Sequence, residues 1–102
     1  LADRKRLELA RALATQPQLL LLDEMLSGLR GPEARELMAL IQAVRTEGVT
    51  VVVIEHIMKA IMSLSDRIVV LHPGEKIAEG SPRDVSTSPQ VIEAYLGTAE
   101  RR

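Results

Sequence analysis

Two short apolar segments restrict the possible folds of this chain more than any other feature. Residues 19–24 read LLLLDE and residues 49–55 read VTVVVIE, so each apolar run ends on carboxylates. An apolar run without alternating polar residues predicts a strand buried on both faces, as in a parallel sheet. Because a core normally excludes adjacent acids, we expect Asp23 and Glu24 at the solvent-facing end of the first strand.

Helical patterns alternate with the two strands. Residues 4–15 place four apolar side chains on one face at helical spacing: Leu7, Ala10, Leu13 and Ala14. The basic run within it, Arg4, Lys5 and Arg6, is interpreted as a solvated helix face. A second helix begins with Gly31-Pro32-Glu33 and continues to Gly48, with apolar positions three and four residues apart: Ala34, Leu37, Met38, Ile41 and Val44.

Strand, helix and strand in this order predict a βαβ unit with two parallel strands. Ligands of such sheets bind beyond the carboxyl ends of the strands. We therefore expect one sheet edge to gather the acid pair and the two residues that follow the second apolar run, Glu55 and His56. The next residues predict a helix over 57–64 and then a hairpin, with a strand over 66–71, a turn over 72–75 and a return strand over 76–80. Helix starts are predicted at Ser81 and Ser88, and the last helix is expected to end at Gly97.

Composition excludes several classes of function. The chain has 102 residues, 13 Lys and Arg against 14 Asp and Glu, and a single aromatic residue, Tyr95, so a basic or stacking nucleic-acid surface is not expected. The absence of cysteine excludes disulfides and thiolate metal sites. The apolar runs of the chain are far shorter than the roughly 20 residues that a transmembrane helix needs to cross a bilayer, so a membrane-spanning helix is not expected. The chain begins at Leu1 within a helical pattern, so we expect a segment of a longer protein.

Several motifs in order resemble the C-terminal part of an ATP-binding-cassette (ABC) ATPase. LLLLDE resembles the Walker B strand, Ser27-Gly28-Leu29 the D-loop, and His56 within VVVIEH the switch histidine. LADRKRLELARALA is similar to the end of the signature motif and its helix. DRIVVLHPGEKIAEGSPRDV, together with the later VIEAYLG, resembles ATP-binding subunits of branched-chain amino-acid importers.

The resemblance implies an α/β fold: a partial P-loop NTPase (RecA-like) parallel sheet with flanking helices, lacking the P-loop strand. Its implied segments are the signature helix (1–15), Walker B and D-loop (18–30), crossover helix (31–48), switch-histidine strand and helix (49–65), and C-terminal strands and helices (66–97). In this family the P-loop strand lies between the 49–55 and 66–71 strands. We therefore expect these two strands to pair with each other or with a second copy.

The resemblance also implies an ATP-hydrolysing subunit that drives amino-acid import with ATP and Mg²⁺. Asp23 would hold the metal, Glu24 would act as general base and His56 would contact the γ-phosphate. Signature positions Leu1, Ala2 and Asp3, with Ser27 and Gly28, would face ATP bound by a second ATP-binding subunit. Transmembrane permease subunits are the other implied partners, with no direct membrane insertion. The implied location is cytoplasmic and peripheral, on the inner face of the cell membrane.

Several residues depart from the family pattern. G-x-x-x-x-G-K-[ST] is absent from the chain, so we expect these residues alone to be inactive. Leu1, Ala2 and Asp3 replace the usual Gly, Gly and Gln, while Met25 replaces Pro and Arg30 replaces Asp or Asn. The alternatives are a non-transport ABC ATPase, a degenerate cassette serving as an interaction or dimerisation module, and an unrelated α/β domain.

Overall fold

The computed structural model describes residues 1–96, which divide into two compact units. The first unit, residues 1–60, contains α1 (Ala2–Leu13), β1 (Leu19–Asp23), α2 (Gly31–Thr46) and β2 (Thr50–Ile54). The second unit begins at Ile61, within α3 (Met58–Leu64). It continues with β3 (Ile68–Leu71), β4 (Lys76–Gly80), α4 (Pro82–Ser86) and α5 (Pro89–Val91), which extends as a π-helical segment (Ile92–Leu96). Gly97, the predicted end of the last helix, lies outside the described residues.

Strands β1 and β2 pair in parallel, as the βαβ pattern predicts. Leu19 lies opposite Thr50, and Asp23 lies opposite Ile54. The pairing continues one residue beyond β1, because the Glu24 N–H donates to the Ile54 carbonyl at 2.8 Å. The carboxyl ends of both strands therefore lie at the same edge of the sheet.

The prediction that the LLLLD strand is buried on both faces is wrong for the described residues. Leu20 and Leu22 are 4% exposed, whereas the alternate positions of β1 and β2 remain open to solvent. We call these open positions the outer sheet face: Leu19, Leu21, Val52 and Ile54, which are 53%, 67%, 44% and 57% exposed. Successive side chains of a strand point to opposite faces, and the described residues cover only one of them. The continuous apolar pattern therefore indicates burial of both sheet faces, but the described residues of this chain bury only one of them.

Helix α2 buries the face that its spacing predicts. Leu37 and Ile41 are 2% and 3% exposed, and the flanking apolar positions of the same face are half-buried. Burying each such side chain contributes about 1.5–3 kcal/mol. The helix ends at Thr46, followed by Gly48 with φ +101°, a left-handed conformation that favours glycine.

The predicted apolar face of α1 is also wrong. Leu9 is the buried residue, at 3% exposure, whereas Leu7 is 60% exposed and Ala10 is open to solvent. Small alanines give this helix a weak apolar stripe, so tertiary contacts decide which side is covered. One such contact is an ion pair between Arg6 of α1 and Glu36 of α2.

In the second unit, β3 and β4 form the predicted antiparallel hairpin, with Ile68 opposite Gly80. The Ser81 hydroxyl caps α4 by accepting the Asp84 N–H at 3.1 Å, while Ser88 at the start of α5 makes no capping side-chain bond.

Within residues 1–96 each sheet has two strands, so the expected pairing of the 49–55 and 66–71 strands with each other is not found. Pairing with a second copy stays a prediction. No helix in the described part of the chain is long and apolar enough to cross a bilayer.

The hairpin carries a carboxylate whose ionisation affects stability. Glu79 accepts hydrogen bonds from Arg67 Nε and Lys76 Nζ, each at 2.9 Å, and these two cations lower its pKa below the usual value of 4.5. A depressed folded-state pKa gives stability that is present above the unfolded-state pKa and is lost as the pH falls through the folded one. We therefore expect Glu79→Gln to lower the melting temperature at pH 7 and to have little effect in acid well below pH 4.5.

Thermal unfolding at a series of pH values measures this difference. Glu75→Gln, on the turn of the same hairpin, is the matched control and should show no comparable loss at pH 7. Equal melting temperatures for wild type and Glu79→Gln at pH 7 would contradict a stabilising role for the contact.

Candidate functional site

The carboxyl ends of β1 and β2 bring together the acid and the histidine that the sequence places over thirty positions apart. His56 Nδ1 lies 3.3 Å from Glu24 Oε1. The His56 side chain is 68% exposed and that of Glu24 55%, so a solute could reach both. Asp23, the last residue of β1, is also exposed at this edge.

The backbone of Glu24 adopts an unusual conformation. Its φ is +53°, in the left-handed region that side chains other than glycine rarely adopt, at a cost of about 1–3 kcal/mol. Two backbone hydrogen bonds hold it there: its N–H donates to Ile54, and its carbonyl accepts the Ser27 N–H at 3.2 Å. The chain therefore leaves the line of β1 at Glu24, and a tight turn follows.

Glu55 supports this turn from the neighbouring strand end. Its Oε2 accepts the Leu26 N–H at 3.0 Å, while its Oε1 is buried without a hydrogen-bond partner. Met25 and Leu26 are 8% and 2% exposed, so the two residues after Glu24 are anchored in the core. The sequence places Glu55 at the sheet edge but gives no role for it. Its position as a strand-end carboxylate beside the acid pair was the available signal.

Lys5 of α1 also reaches this strand end. Its Nζ donates to the Glu24 carbonyl at 3.4 Å, and the residue is half-buried. The interpretation of the basic run as wholly solvated is therefore wrong for Lys5. Arg4 is exposed, as expected for that face.

The start of α1 lies against the turn that contains Gly28. Gly28 has φ +79°, and a Cβ at this position would lie 2.7 Å from Leu1 Cδ2. Both the backbone conformation and this close approach require glycine. Ala2 is the first residue of α1, and Asp3 is directed to solvent beside Arg6, with 3.4 Å between the ion-paired atoms. Ser27 is exposed.

Among the described residues, the edge offers a single exposed strand-end carboxylate, Asp23, rather than a preformed metal site. Within residues 1–96, no group of three or more His, Cys, Asp or Glu side chains could hold a metal ion. Mg²⁺ commonly takes one or two protein carboxylates and completes its shell with water and substrate phosphates, which suits the exposed Asp23. The 102 residues contain no phosphate-binding loop, so they do not themselves supply a cradle for the nucleotide.

The second histidine belongs to a separate feature of the second unit. His72 packs edge-on against Tyr95 with 5.4 Å between ring centroids, and the Tyr95 hydroxyl donates to the Leu71 carbonyl. A hollow of about 450 Å³ opens beside it, lined by His72, Ile77, Gln90, Glu93 and Ala94. This ring contact gives His72 a structural role in the second unit.

Comparisons with known proteins agree with this fold and edge. A family model described as branched-chain amino acid ATP-binding cassette transporter matches residues 75–101. The high-affinity branched-chain amino acid transport ATP-binding protein BraF of Pseudomonas aeruginosa is 48% identical over 98 residues, 95% of this chain and 38% of that protein. LivG of Escherichia coli K12, which has the same description, is 46% identical over the same coverage.

Solved structures agree at the level of the fold. The ADP conformation of MJ1267, an ATP-binding cassette of an ABC transporter, superposes with a TM-score of 0.82 at 29% identity, covering 94% of this chain and 39% of that one. A nucleotide-free ATP-binding cassette gives a TM-score of 0.83 at 28% identity, covering 94% and 40%.

In sequence and in fold the chain is similar to ATP-binding cassettes, which have the P-loop NTPase fold. Within that class it corresponds to the C-terminal part of the ATP-binding proteins of branched-chain amino-acid transporters, and it spans about 38% of the length of the curated relatives it matches.

Proposed function

We propose that this chain supplies the hydrolytic strand ends of an ATP-binding subunit that drives amino-acid import. The observation that carries the proposal is the contact of 3.3 Å between Glu24 and His56 at the carboxyl end of a parallel strand pair, directly after Asp23. The names of BraF and LivG support branched-chain amino acids as the transported class. Because the chain spans about 38% of these relatives, the activity belongs to a longer protein.

Each residue at the edge has a chemical role in this proposal. Asp23 would hold Mg²⁺, which would neutralise charge on the nucleotide phosphates. Glu24 accepts a proton from the attacking water as general base. His56 would donate a hydrogen bond to the γ-phosphate through Nε2, the ring nitrogen that does not face Glu24, while its Nδ1 lies against the Glu24 carboxylate.

The start of α1 and the turn that contains Ser27 and Gly28 contact the ATP-bound second subunit in this proposal. The N-terminus of α1 (Ala2–Leu13) offers the positive end of the helix dipole and free amides to ATP bound by the partner. Leu1, Ala2, Asp3, Ser27 and Gly28 lie on this side of the proposed dimer. Permease subunits in the membrane complete the transporter, and the ATP-binding subunit is peripheral on the cytoplasmic face.

A degenerate cassette acting as a dimerisation module is the second candidate. The close approach of the Leu1 side chain to Gly28 favours this candidate. The family pattern has a glycine at position 1, which has no side chain to occupy this space. The turn that contains Gly28 also carries Arg30 in place of an acid or amide. This candidate predicts association without turnover, which separates it from the ATPase.

The direct test compares the full-length subunit with the 102-residue chain. We expect the full-length subunit, assembled with its permease in vesicles, to hydrolyse ATP only with Mg²⁺ present and faster when a branched-chain amino acid is supplied. The isolated chain should not bind a fluorescent ATP analogue, because it lacks the phosphate-binding loop. Tight binding of Mg-ATP by the isolated chain would contradict this division of the site. Association of the full-length subunit without any turnover would favour the dimerisation module.

A further inference from the structure

We infer that Glu55 is a positioning residue for hydrolysis, which holds the general base Glu24 in its left-handed conformation by binding the turn that follows it. The inference rests on the proposed function, because it concerns the same edge of the sheet. Glu55 follows β2 directly, and its carboxylate accepts the Leu26 N–H, two residues beyond Glu24.

Two successive residues of one strand end hold the turn. The Ile54 carbonyl binds the Glu24 N–H at 2.8 Å, and the Glu55 side chain binds the Leu26 N–H at 3.0 Å. The bonds lie on either side of Met25, so the segment is fixed against the end of β2 at two points. A left-handed non-glycine residue persists only when its surroundings over-determine it, and these two bonds do so for Glu24 together with the Ser27 N–H that its carbonyl accepts.

Loss of the Glu55 carboxylate would disturb this arrangement. Leu26 is 2% exposed, so water cannot readily replace the missing acceptor for its N–H. A buried donor without a partner favours a rearranged backbone in which it is satisfied. The rearrangement would allow Glu24 to leave its left-handed φ. Its carboxylate would then move relative to His56, which follows the end of β2.

The buried, unpartnered oxygen of Glu55 distinguishes the conservative variants. Gln keeps one oxygen at full side-chain length and can accept the Leu26 N–H through it. Its amide then lies at the buried, unpartnered position of Oε1, which lowers stability but leaves the bond to the turn in place. Asp keeps the charge but is one methylene shorter, so it cannot reach the same N–H without movement of the strand end. Length and an acceptor oxygen, rather than charge, are therefore the properties that position 55 requires.

Steady-state ATP hydrolysis by the full-length subunit tests the inference with Glu55→Ala, Glu55→Asp and Glu55→Gln. We expect Ala and Asp each to lower kcat by about tenfold, since small displacements of a catalytic group have effects of this size or larger, while KM for ATP changes less than about threefold. Gln should restore most of kcat. Glu47→Ala, at the exposed end of α2, is the matched control, and melting temperatures are recorded for every variant.

A double-mutant cycle separates positioning of Glu24 from general support of the fold. If Glu55 acts through Glu24, Glu55→Ala should have little further effect on single-turnover hydrolysis when Glu24 is already Gln. Equal losses from Glu55→Ala in both backgrounds, or wild-type kcat in Glu55→Ala and Glu55→Asp, would overturn the inference. If wild type hydrolyses ATP and Glu24→Gln does not, those results overturn the role of Glu55 alone. Absence of hydrolysis by wild type would overturn the proposed function together with it.

Discussion

Glu24→Gln in the full-length subunit is expected to lower ATP turnover by about a hundredfold or more while ATP affinity stays within a few-fold of wild type. Gln preserves the size of the side chain and can keep a contact with His56, whose Nδ1 lies 3.3 Å from the present carboxylate. It cannot accept the proton of the attacking water as a carboxylate does. Asp23, one residue earlier, remains available to the metal.

Phosphate release and binding of a fluorescent ATP analogue, measured on the same preparations, check both parts of this prediction. Glu33→Gln, in the exposed first turn of α2, replaces the same type of side chain away from the edge and serves as control. Wild-type turnover in Glu24→Gln would remove Glu24 from the mechanism. Loss of ATP binding would instead make it a ligand for the nucleotide or its metal.

His56→Ala should also lower hydrolysis strongly, by about tenfold to a hundredfold, with ATP affinity within a few-fold of wild type. Its ring stands at the exposed end of β2 and contacts Glu24, so its loss removes a donor for the γ-phosphate and a neighbour that orients the base. Binding through the adenine and ribose does not depend on this ring in the proposed arrangement.

His72→Ala is the matched control, because it replaces the other histidine of the chain. Its ring contacts Tyr95 in the second unit, so we expect an effect on thermal stability rather than on turnover. A collapse of ATP affinity in His56→Ala would show that His56 is a primary ligand or a structural residue. Equal turnover in the two alanine variants would also contradict the assignment.

The parts of the fold that could be predicted from sequence are those in which a local pattern and a tertiary need coincide. Helix α2 has a Pro at its start, an apolar stripe that includes Leu37 and Ile41, and a glycine after its end, and all of these features act within the helix. The convergence of Glu24 and His56 follows from parallel pairing alone, because it places the carboxyl ends of both strands together.

The parts that could not be predicted depend on which neighbours are present and on side-chain reach. The apolar pattern of β1 indicates burial on both faces, but it does not say which part of a protein supplies each cover, and Leu21 is 67% exposed. The face of α1 is decided by packing around Leu9, since alanines discriminate weakly between sides. The contacts of Glu55 and Lys5 depend on the left-handed turn at Glu24, a conformation that no local glycine announces.

The outer sheet face affects the tendency of this polypeptide to bind chaperones and to aggregate. Leu19, Leu21, Val52 and Ile54 form an apolar, partly β-branched surface on a two-stranded sheet, bounded by the exposed Asp23, and surfaces of this kind bind chaperones and promote aggregation. A product that carries these residues without a covering layer is therefore a candidate for capture and degradation before it accumulates.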